Sequence, residues 1–375
     1  MSRLNELIQE LCPNGVEFKK LSMLCDLSRG KVYSKTYISE NPGIYPVYSS
    51  QTENDGELGR ISTYDYDGEY LTWTTDGAYA GTIFHRKGKF SITNVCGLIS
   101  IKSSNILIRF LYYWLSVKAK DYVYKGMGNP KLMSNQIAPI KIPIPPLDVQ
   151  NEIVRILDTF TSHAAELQAE LQARKEQYEY YRNKLLTFDK DDKNVKWVKL
   201  KEYAEIGTGS SNTQDELSIG LYPFFVRSQI VRRNNEYEFD ETAIITSGDG
   251  VGVGKIFHYV EGKYALHQRA YRIHVLNEKI IPKFLFHYMR CEFYNYITKN
   301  AYTSSVTSIR KPMLLNFPIP ILSMSEQQRI VSILDKFEAL VNDLTEGLPA
   351  EIAAVQEQYE YYRNKLLTFK DVGTY

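Results

Sequence analysis

The chain contains one thirteen-residue block twice, and both copies read EQYEYYRNKLLTF. The copies occupy residues 176–188 and 357–369, so the second follows the first by 181 positions. Each block closes a longer pattern in which apolar residues recur at steps of three and four, which is typical of a heptad seam on a helix. We therefore expect two helices of about 40 residues, each about 60 Å long, that bury their seams against each other as an antiparallel intramolecular coiled coil.

The two seams differ near Leu348, where two successive steps of four replace the expected four and three. A four-residue stutter of this kind underwinds a coiled coil but keeps the seam on the same side. We therefore expect the second helix to continue through it. The first helix holds a different irregularity, the tandem AELQ-AELQ at residues 165–172. Such a repeat can gain a unit, which would lengthen the helix by about 6 Å.

The segment before the first helix is tyrosine-rich and predicts a mostly β globule. Short β-type runs, such as residues 70–75 and 91–101, are separated by clusters of Gly, Asn, Asp and Ser, which are typical of turns. Residues 109–117 predict a short amphipathic helix. The prolines of residues 142–146 then end any strand and precede the long helix.

The segment between the two helices repeats this globule faintly but in the same order. Five pairs of matching segments carry the alignment: residues 16–21 with 195–200, Tyr45-Pro46 with Tyr222-Pro223, Ser50-Gln51 with Ser228-Gln229, residues 76–85 with 249–258, and the stretch from Phe110-Leu111 to Pro145 with that from Phe284-Leu285 to Pro320. The sequence thus indicates a head-to-tail duplication with a pseudo-two-fold arrangement.

The expected fold class is α+β, with two mostly β domains joined by two long antiparallel helices. We place the first globule at residues 1–146, the first helix at 147–188, the second globule at 189–320 and the second helix at 321–375. Near-identical helices between divergent globules indicate that the helices form a common docking surface. The globules, by the same argument, would be the parts that vary in what they bind.

Composition restricts the class of protein. An apolar fraction of 43% supports a real core, and four scattered cysteines without metal spacing indicate reduced thiols in the cytoplasm. No secretion signal or membrane span is expected. Net charge is only +1, but regional charges are +4, −2, +3 and −4 in the order of the four segments. Local charge, not net charge, attracts a polyanion, and the basic excess lies in the globules.

Three motifs resemble catalytic sites, and we interpret each as structural. Residues 248–256 (GDGVGVGKI) lack P-loop spacing and predict a tight glycine turn between strands. Asp249, Glu261 and Lys263 resemble a metal-dependent nuclease site, but the first globule has no counterpart of Glu261. His85 and His258 match each other and are expected to be half-buried. Without an adenine-methyltransferase motif either, the chain is expected to carry no catalytic site and no metal site.

The remaining chemistry is that of binding, because loops that combine hydroxyls, amides, guanidinium groups and lysines can contact base edges and phosphates. The DNA-binding candidates of the first globule are Tyr48, Ser49, Ser50, Gln51, Trp73, Thr75, Asp76, Lys125, Asn129, Lys131 and Asn135. Those of the second are Arg227, Ser228, Gln229, Ser247, Asp249, His267, Gln268, Arg269, Thr303, Ser304, Arg310 and Lys311. An ordinary polar loop remains the alternative for each.

The identical block also repeats residues that a buried seam does not require. These candidates for binding a partner protein are Glu176, Gln177, Arg182, Asn183 and Lys184 in the first copy, and Glu357, Gln358, Arg363, Asn364 and Lys365 in the second. A solvated surface would also explain charged residues on one helix. Identity at thirteen positions instead favours one partner that binds the same surface twice.

The duplication and the helical repeats resemble the specificity subunits of type I restriction-modification systems. The residues that carry this resemblance are the two blocks, the proline-rich entries at 142–147 and 317–320, and the segments EIV at 152–154 and EQQRIV at 326–331. The resemblance implies two target recognition domains, each reading half of a bipartite site in double-stranded DNA. It also implies that the helices recruit two methyltransferase subunits, which restriction and translocase subunits would join.

The same resemblance implies that S-adenosylmethionine, ATP and Mg²⁺ belong to the partner subunits and that this chain holds no cofactor. Two alternatives from other classes remain open. One is a self-sufficient nuclease that uses Asp249, Glu261 and Lys263, and the other is a non-catalytic scaffold whose globules bind protein. DNA cleavage by the purified chain would favour the first, and failure to bind any DNA together with a methyltransferase would favour the second.

Overall fold

The computed structural model describes residues 2–126, 128–189, 191–193, 195–250, 252–299, 308–343 and 346–373. The candidates Thr303 and Ser304 lie outside these residues. The chain divides into two compact units, Met1–Glu166 with Ile352–Tyr375 (unit 1) and Leu167–Glu351 (unit 2). In the described part of the chain, every helix is too short or too polar to cross a bilayer.

Unit 1 contains one large sheet with helices packed against it. Its elements in chain order are α1 (Ser2–Leu11), β1 (Phe18–Lys20), α2 (Leu21–Leu24), β2 (Cys25–Arg29), α3 (Lys35–Glu40), β3 (Pro42–Tyr48), β4 (Glu57–Ile61), β5 (Tyr66–Thr74), β6 (Ile83–Ile92), β7 (Cys96–Ile101), α4 (Ile108–Lys118), α5 (Ser134–Ile137) and β8 (Lys141–Pro143). The sheet has the order β2-β7-β5-β6-β3-β4, and β1 pairs with β8 separately. The expected helix at residues 109–117 is confirmed as α4.

The expected β run at residues 91–101 is wrong as a single strand. It is divided between β6 and β7, because the Cys96 N–H donates to the Thr93 carbonyl at 3.0 Å and closes a turn there. The two strands do not pair directly with each other, since β5 lies between them in the sheet. Both β6 and β7 run antiparallel to β5.

Helix α6 (Leu147–Leu186) is continuous over 40 residues, which confirms the expected length of the first helix. Unit 2 then follows with β9 (Lys196–Lys199), β10 (Ala204–Thr208), β11 (Tyr222–Phe225), β12 (Arg232–Asn234), β13 (Phe239–Asp240), β14 (Ala243–Ser247), β15 (Phe257–Val260), β16 (Lys263–Leu266), β17 (Ala270–Val275), α7 (Pro282–Lys299), α8 (Lys311–Leu315), β18 (Pro318–Ile321), α9 (Met324–Asn342) and α10 (Leu348–Leu366). Helix α10 begins in unit 2 but lies mostly in unit 1.

The strands of unit 2 form two four-stranded sheets and a short ladder. Their orders are β10-β17-β14-β15, β12-β11-β16-β13 and β18-β9. The glycine turn expected at residues 248–256 is confirmed between β14 and β15. Gly250 and Gly254 have φ values of +94° and +72°, a backbone region that glycine enters without steric cost. Gly77 and Gly81 take the same conformation in the matching turn of unit 1, with φ of +98° and +85°.

The duplication appears as matched hydrogen bonds around two buried glutamines. Gln150, 0% exposed, accepts from the Leu107 N–H at 2.8 Å and donates to the carbonyls of Asn105 and Pro145. Gln327, also 0% exposed, accepts from Ile281 at 2.8 Å and donates to Lys279 and Leu322. Buried amides keep their place only when they are paired. Gln150 therefore holds the start of α6 against the loop before α4. Gln327 holds the start of α9 against the loop before α7.

These bonds and the strand registers correct two of the expected alignments. The β1–β8 ladder pairs Phe18 with Pro143, and the β9–β18 ladder pairs Trp197 with Pro320. Pro320 therefore corresponds to Pro143, two residues before the expected Pro145. Faint similarity between proline-rich segments could not fix this register, because Ile-Pro repeats match themselves at a shift of two.

The second correction concerns the loop after β3. Tyr48 pairs with Ile92, and Phe225 pairs with Leu266 in the same parallel arrangement. Ser50 therefore corresponds to Arg227, and the expected match of Ser50-Gln51 with Ser228-Gln229 is out of register by one residue. The other anchor on this strand, Tyr45-Pro46 with Tyr222-Pro223, agrees with the ladders.

Helix α6 packs against a different partner helix in each unit. In unit 1, Phe160 stacks on Tyr362 of α10 with ring centroids 5.5 Å apart, and in unit 2, Tyr181 stacks on Phe337 of α9 at 5.6 Å. Within unit 1, Leu366 of α10 belongs to the same buried cluster as Ile153 and Leu157, which precede Phe160 on α6, so α10 runs antiparallel to α6. Within unit 2, Leu334 of α9 shares a cluster with Leu186, which follows Tyr181, so α9 has the same direction.

The expectation of a continuous second helix is wrong, because the chain forms α9 and α10 with a break between Asn342 and Leu348. Gly347 and Pro349 flank Leu348. Proline lacks the N–H that a helix interior needs and clashes with the preceding turn, whereas it is tolerated in the first turn of a new helix. The four extra residues that the seam presents as a stutter are thus accommodated by ending one helix and starting another.

Candidate nucleic-acid interface

Three of the candidate residues in unit 2 meet at one point on the surface. Arg227 follows β11, Asp249 follows β14, and Arg269 precedes β17. Nη1 of Arg227 lies 2.5 Å from Oδ1 of Asp249, and Nη1 of Arg269 lies 3.5 Å from Oδ2 of the same carboxylate. The sequence selected these residues separately, and the fold brings them together as an Arg-Asp-Arg cluster.

Backbone hydrogen bonds hold the loops of this cluster in place. The His267 N–H donates to the Phe225 carbonyl at 2.9 Å, and the Gly248 N–H donates to the Arg269 carbonyl at 2.9 Å. A Cβ atom on Gly248 would lie 2.5 Å from that carbonyl oxygen, so the backbone as it stands in unit 2 leaves no room for a side chain at residue 248. The Ile309 N–H donates in turn to the Gly248 carbonyl at 2.7 Å.

His267 lies beneath the cluster and is only 4% exposed. Its Nδ1 accepts from the Arg269 N–H at 3.0 Å, and Nε2 lies 3.3 Å from the hydroxyl of Thr213. Burial lowers the pKa of His267, and the neighbouring Arg227 and Arg269 lower it further. A neutral ring that accepts at Nδ1 therefore orders the backbone of Arg269.

The other candidates of unit 2 occupy different environments. Ser247 is fully buried and donates to the Asp249 carbonyl at 2.7 Å, so it shapes the turn. Gln268 is exposed, and its side-chain amide donates to Asn212. The Ser228 carbonyl contacts Nε2 of His258 at 2.9 Å. Candidates with exposed side chains in the same region are Gln229, Arg310 and Lys311.

Unit 1 repeats the backbone frame of this loop cluster. The Thr93 N–H donates to the Tyr48 carbonyl at 2.8 Å, the Thr75 N–H donates to the Val95 carbonyl at 3.2 Å, and the Leu132 N–H donates to the Thr75 carbonyl at 3.0 Å. Thr75 and Val95 therefore correspond to Gly248 and Arg269. The two units share a scaffold and differ in the side chains that it presents.

Asp76 of unit 1 takes the position of Asp249 but has different neighbours. Its Oδ1 is buried and has no hydrogen-bond partner within the described ranges. Its backbone bridges to Lys131, as that of Asp249 bridges to Ser308. The matched bridges confirm that the two aspartates are equivalent in the fold.

Arg29 at the end of β2 is a residue of this cluster that the sequence reasoning missed. It is exposed, and its Nη2 donates to Oγ1 of Thr75 at 3.0 Å and to the Asn94 carbonyl at 2.5 Å. Its one sequence signal is its place at a strand end beside Gly30. That signal does not distinguish it from other surface arginines.

Two candidates of unit 1 lie in the interior. Trp73 is 0% exposed and donates from Nε1 to the Leu132 carbonyl at 2.8 Å. Thr75 is also 0% exposed and accepts from Arg29. In this arrangement Trp73 packs the core, and Thr75 orients the arginine above it.

The candidates after β3 are half-buried, and most of their polar atoms are engaged locally. The guanidinium of Arg86 lies 3.6 Å from the ring centroid of Tyr48, and burial raises the pKa of Tyr48. The Ser49 hydroxyl accepts from Thr93 at 3.1 Å, and the Gln51 amide donates to the Glu57 carbonyl. Ser50 is half-buried beside them.

The candidates in the basic loop before α5, and Asn135 in α5 itself, are exposed. Lys125, Asn129, Lys131 and Asn135 all present their side chains to solvent. The backbone of Lys131 pairs with that of Tyr124 and with Asp76. This pairing places the loop beside the cluster that contains Asp76, where lysines suit contact with phosphates.

The three residues of the nuclease alternative do not converge. Glu261 follows Val260, which pairs with Ala243 at the start of β14, whereas Asp249 lies beyond its end at Ser247. A five-residue strand is about 17 Å long. Glu261 instead accepts from the Tyr259 hydroxyl at 3.1 Å, and Lys263 lies over the ring of Tyr237.

The repeated block presents the same surface in each unit. Seven of the ten partner-binding candidates are exposed. They are Glu176, Asn183 and Lys184 in the first copy, and Glu357, Gln358, Asn364 and Lys365 in the second. Gln177 is half-buried, and so are Arg182 and Arg363. In both copies this arginine lies over a tyrosine ring, and its Nε is buried without a hydrogen-bond partner in the described chain.

Two exposed aromatic residues of this surface were not among the candidates. Tyr180 is 59% exposed and Tyr361 is 60% exposed. A lysine one turn later lies over each ring, at 5.7 Å for Lys184 and 5.8 Å for Lys365. The heptad pattern assigns the adjacent tyrosines to the seam and gives no signal for these two, although tyrosine is enriched at protein interfaces.

Comparison with known proteins agrees with this organisation. Residues 13–177 and 192–354 each match the family described as the type I restriction modification DNA specificity domain. A putative type I specificity subunit of Mycoplasma pneumoniae is 32% identical over 363 residues, which span 92% of this chain and 96% of that protein. The specificity subunit of the type I restriction enzyme MpnII from the same organism is 42% identical over 174 residues, spanning 45% of this chain and 52% of that protein.

Solved structures show the same fold. The crystal structure of the S subunit of a type I restriction-modification system from M. genitalium matches with a TM-score of 0.66 at 15% identity, covering 96% of this chain and 97% of that one. A chain from a study of complex assembly in the type I system matches with a TM-score of 0.57 at 15% identity, covering 95% and 98%. Because both globules match the family and the similarity extends along most of the chain, this protein belongs to the specificity subunits of type I restriction-modification systems.

Proposed function

We propose that the chain reads a bipartite sequence in double-stranded DNA, with one half-site for each unit. The observation that supports this is the shared loop frame with different side chains, Ser50 and Val95 in unit 1 against Arg227 and Arg269 in unit 2. Sequence is read by donors and acceptors that reach base edges. One scaffold that presents two sets of polar groups suits the reading of two different half-sites.

The chain would recruit two methyltransferase subunits through the two copies of the repeated block, and restriction and translocase subunits would join that core. Matching exposed residues, such as Tyr180 and Tyr361, support one kind of partner bound twice. S-adenosylmethionine, ATP and Mg²⁺ would then act on the partner subunits, and the chain itself would be non-catalytic. Because its target is DNA and its partners act on DNA, we place this function in the cytoplasm.

An exchange of the reading part of unit 1 tests the bipartite proposal. Residues 21–140 would be replaced by the corresponding segment of another specificity subunit, which leaves the β1–β8 ladder and the helices α6, α9 and α10 in place. The full chain would be combined with its methyltransferase partner, and methylated adenines would be mapped on random DNA. We expect one half-site to change while the other half-site stays the same.

Simultaneous change of both half-sites would contradict separate readers. An absence of any sequence preference in the wild-type complex would favour the scaffold alternative. Incubation of the purified chain with DNA and Mg²⁺ is the control for the nuclease alternative. Cleavage that Asp249→Ala abolishes would support a nuclease and overturn the proposal.

A further inference from the structure

The Arg-Asp-Arg cluster of unit 2 combines exposure with a fixed geometry. The side chains of Arg227 and Arg269 are 38% and 60% exposed, and that of Asp249 is 29% exposed. One carboxylate holds both arginines, through a different oxygen for each. The arginines are therefore ordered before any ligand arrives, which reduces the entropy that binding must overcome.

Each guanidinium keeps donors available for a ligand. An arginine has five N–H donors in a planar fork, and the contact to Asp249 uses Nη1 in both residues. Two parallel donors can bind two neighbouring acceptors, such as N7 and O6 of guanine in the major groove. The geometry of the remaining donors thus suits a base edge.

The central carboxylate distinguishes a base edge from a phosphate. A phosphate close to Asp249 would place two anions together, which is unfavourable in a partly desolvated interface. A G·C base pair instead offers the acceptors of guanine beside the N4 amino donor of cytosine. Two guanidinium groups around one carboxylate complement that pattern of acceptors and donor.

Among the described residues, the matching place in unit 1 holds a different set of side chains. Ser50 and Val95 correspond there to Arg227 and Arg269, and the arginine at this site comes from β2 instead, as Arg29. Arg29 is held by the neutral acceptors Thr75 and Asn94. The two units therefore differ at the same point of one scaffold.

We infer that Arg227 and Arg269, positioned by Asp249, select guanine within the half-site read by unit 2. This inference rests on the proposed function and deepens it, because it assigns the chemical identity of bases in one half-site. Asp249 acts as a positioning residue that holds both arginines and also faces the paired cytosine.

The test uses the full chain in complex with its methyltransferase partner on a library of random duplexes. Methylated duplexes are sequenced for the wild type and for Arg227→Lys, Arg269→Lys and Asp249→Asn. Lysine keeps the charge but not the fork. We expect each lysine variant to lower the preference for guanine at a position of the unit 2 half-site by about 5- to 150-fold, while the other half-site stays unchanged.

Asp249→Asn removes the charge that holds both arginines, so we expect it to weaken the guanine preference at both positions together. The matched control is Arg232→Lys, because Arg232 is also 38% exposed and contacts a carboxylate, that of Glu216, at 2.9 Å. The control should keep the wild-type preference at every position. Thermal melting of each variant checks that the fold is retained.

A unit 2 half-site without guanine would overturn the inference, and so would lysine variants that keep the guanine preference. The exchange of residues 21–140 identifies which half-site belongs to unit 2. Under either of these outcomes the chain still reads a bipartite site. A failure of the inference can therefore be distinguished from a failure of the proposed function. A wild-type complex that selects no sequence at all would remove the proposed function and the inference together.

Discussion

At the scale of single residues, the two units place different side chains in equivalent contacts between α4 or α7 and the long helix. In unit 1, the Tyr113 hydroxyl donates to Asp158 of α6 at 2.5 Å, and Arg109 contacts the same carboxylate. In unit 2, Nε2 of His287 contacts Asp335 of α9 at 2.7 Å, and Lys283 lies 3.9 Å from it. Tyr113 thus connects α4 to α6, and His287 connects α7 to α9 in the equivalent position.

The histidine makes the stability of unit 2 depend on pH. Burial lowers the pKa of His287, although Asp335 and Glu338 act in the opposite direction. Its Nδ1 is buried without a hydrogen-bond partner among the described residues, so protonation would leave a buried donor unsatisfied. Below the usual histidine pKa of about 6.5, the unfolded chain binds this proton more readily than the folded chain, so the free energy of unfolding decreases as the pH is lowered.

We therefore predict that His287→Tyr, which copies unit 1, reduces the loss of melting temperature between pH 7 and pH 5. The measurement is a series of thermal denaturation curves across this range. His163→Tyr is the control, because His163 is exposed on α6, and it should keep the wild-type slope. An unchanged slope for His287→Tyr would show that this histidine is not responsible.

The sequence identified the cluster residues by type, but it could not determine which of them are exposed. Arg227, Asp249 and Arg269 are found at the surface, whereas Trp73 and Ser247 are buried. Trp73 lies on β5, which is paired with a strand on each side, and the residues around it are buried on both faces of the strand. Alternation of polar and apolar residues indicates an exposed face only where one face of a sheet meets solvent.

At the scale of elements, the buried glutamines determine where each long helix begins. Gln150 satisfies one N–H and two carbonyl groups that belong to the loop before α4 and to the chain before α6. Gln327 does the same for α7 and α9. An apolar side chain of similar size would fill the space but leave these groups unpaired.

We predict that Gln150→Leu and Gln327→Leu each destabilise the chain, by about 1–3 kcal/mol for each buried group left unpaired. Equilibrium unfolding in urea measures the change. Gln177→Leu is the control, because Gln177 is half-buried on α6 and should change stability little. If both glutamine variants unfold at the wild-type midpoint, the bonds they remove contribute nothing to stability.

The repeated block leads to a prediction about stoichiometry. Tyr180→Ala should remove one of two equivalent docking surfaces and Tyr361→Ala the other, because exposed tyrosines commonly dominate interface energy. We expect each single variant to bind one methyltransferase subunit where the wild type binds two. The double variant should lose about 30-fold or more in affinity.

Native mass spectrometry and sedimentation measure these stoichiometries. Tyr294→Ala is the matched control, since Tyr294 is 37% exposed and also lies beneath a lysine, Lys255, at 4.6 Å. The control should bind two partner subunits. Normal binding by the double variant would place the partner elsewhere on the chain.

The helices illustrate what periodicity can predict and what it cannot. The seam predicted the 40 residues of α6 and the antiparallel direction of its partners. It did not predict the break before Leu348, because hydrophobic spacing is the same for a stutter and for an interruption. Gly347 and Pro349 indicate the break, because these two residue types affect the backbone conformation. The spacing of apolar residues does not report on backbone conformation.

At the scale of the whole molecule, α6 contributes its first half to unit 1 and its second half to unit 2. We predict that a third AELQ unit, inserted after Gln172, adds about 6 Å to α6. The spacer between the half-sites should then lengthen by up to about two base pairs, at about 3.4 Å for each. Both half-sites should stay the same.

Mapping of methylated sites measures the spacer. The control is an insertion of two residues, Ala-Glu, which turns the later part of α6 by about 200° and should abolish activity by misplacing Tyr181. An unchanged spacer with full activity in the four-residue variant would show that the helix does not set the distance between the readers.

The order of the chain also determines the order in which unit 1 can be completed during synthesis. Its last helix, which places Leu366 and Leu367 in the core beside Ile153 and Leu157, leaves the ribosome only after the whole of unit 2. At 5–20 residues per second that delay is roughly ten to forty seconds. During this time the part of the apolar surface of α6 that α10 later covers is exposed. The first copy of the block has the same sequence as the part of α10 that covers this surface, but it lies on α6 itself and cannot fold back onto its own helix. It can therefore cover this surface only on the α6 of a neighbouring nascent chain. We therefore expect closely spaced ribosomes on one message to favour pairing of α6 with the block of another chain, and slow initiation to favour pairing of α6 with α10 of the same chain.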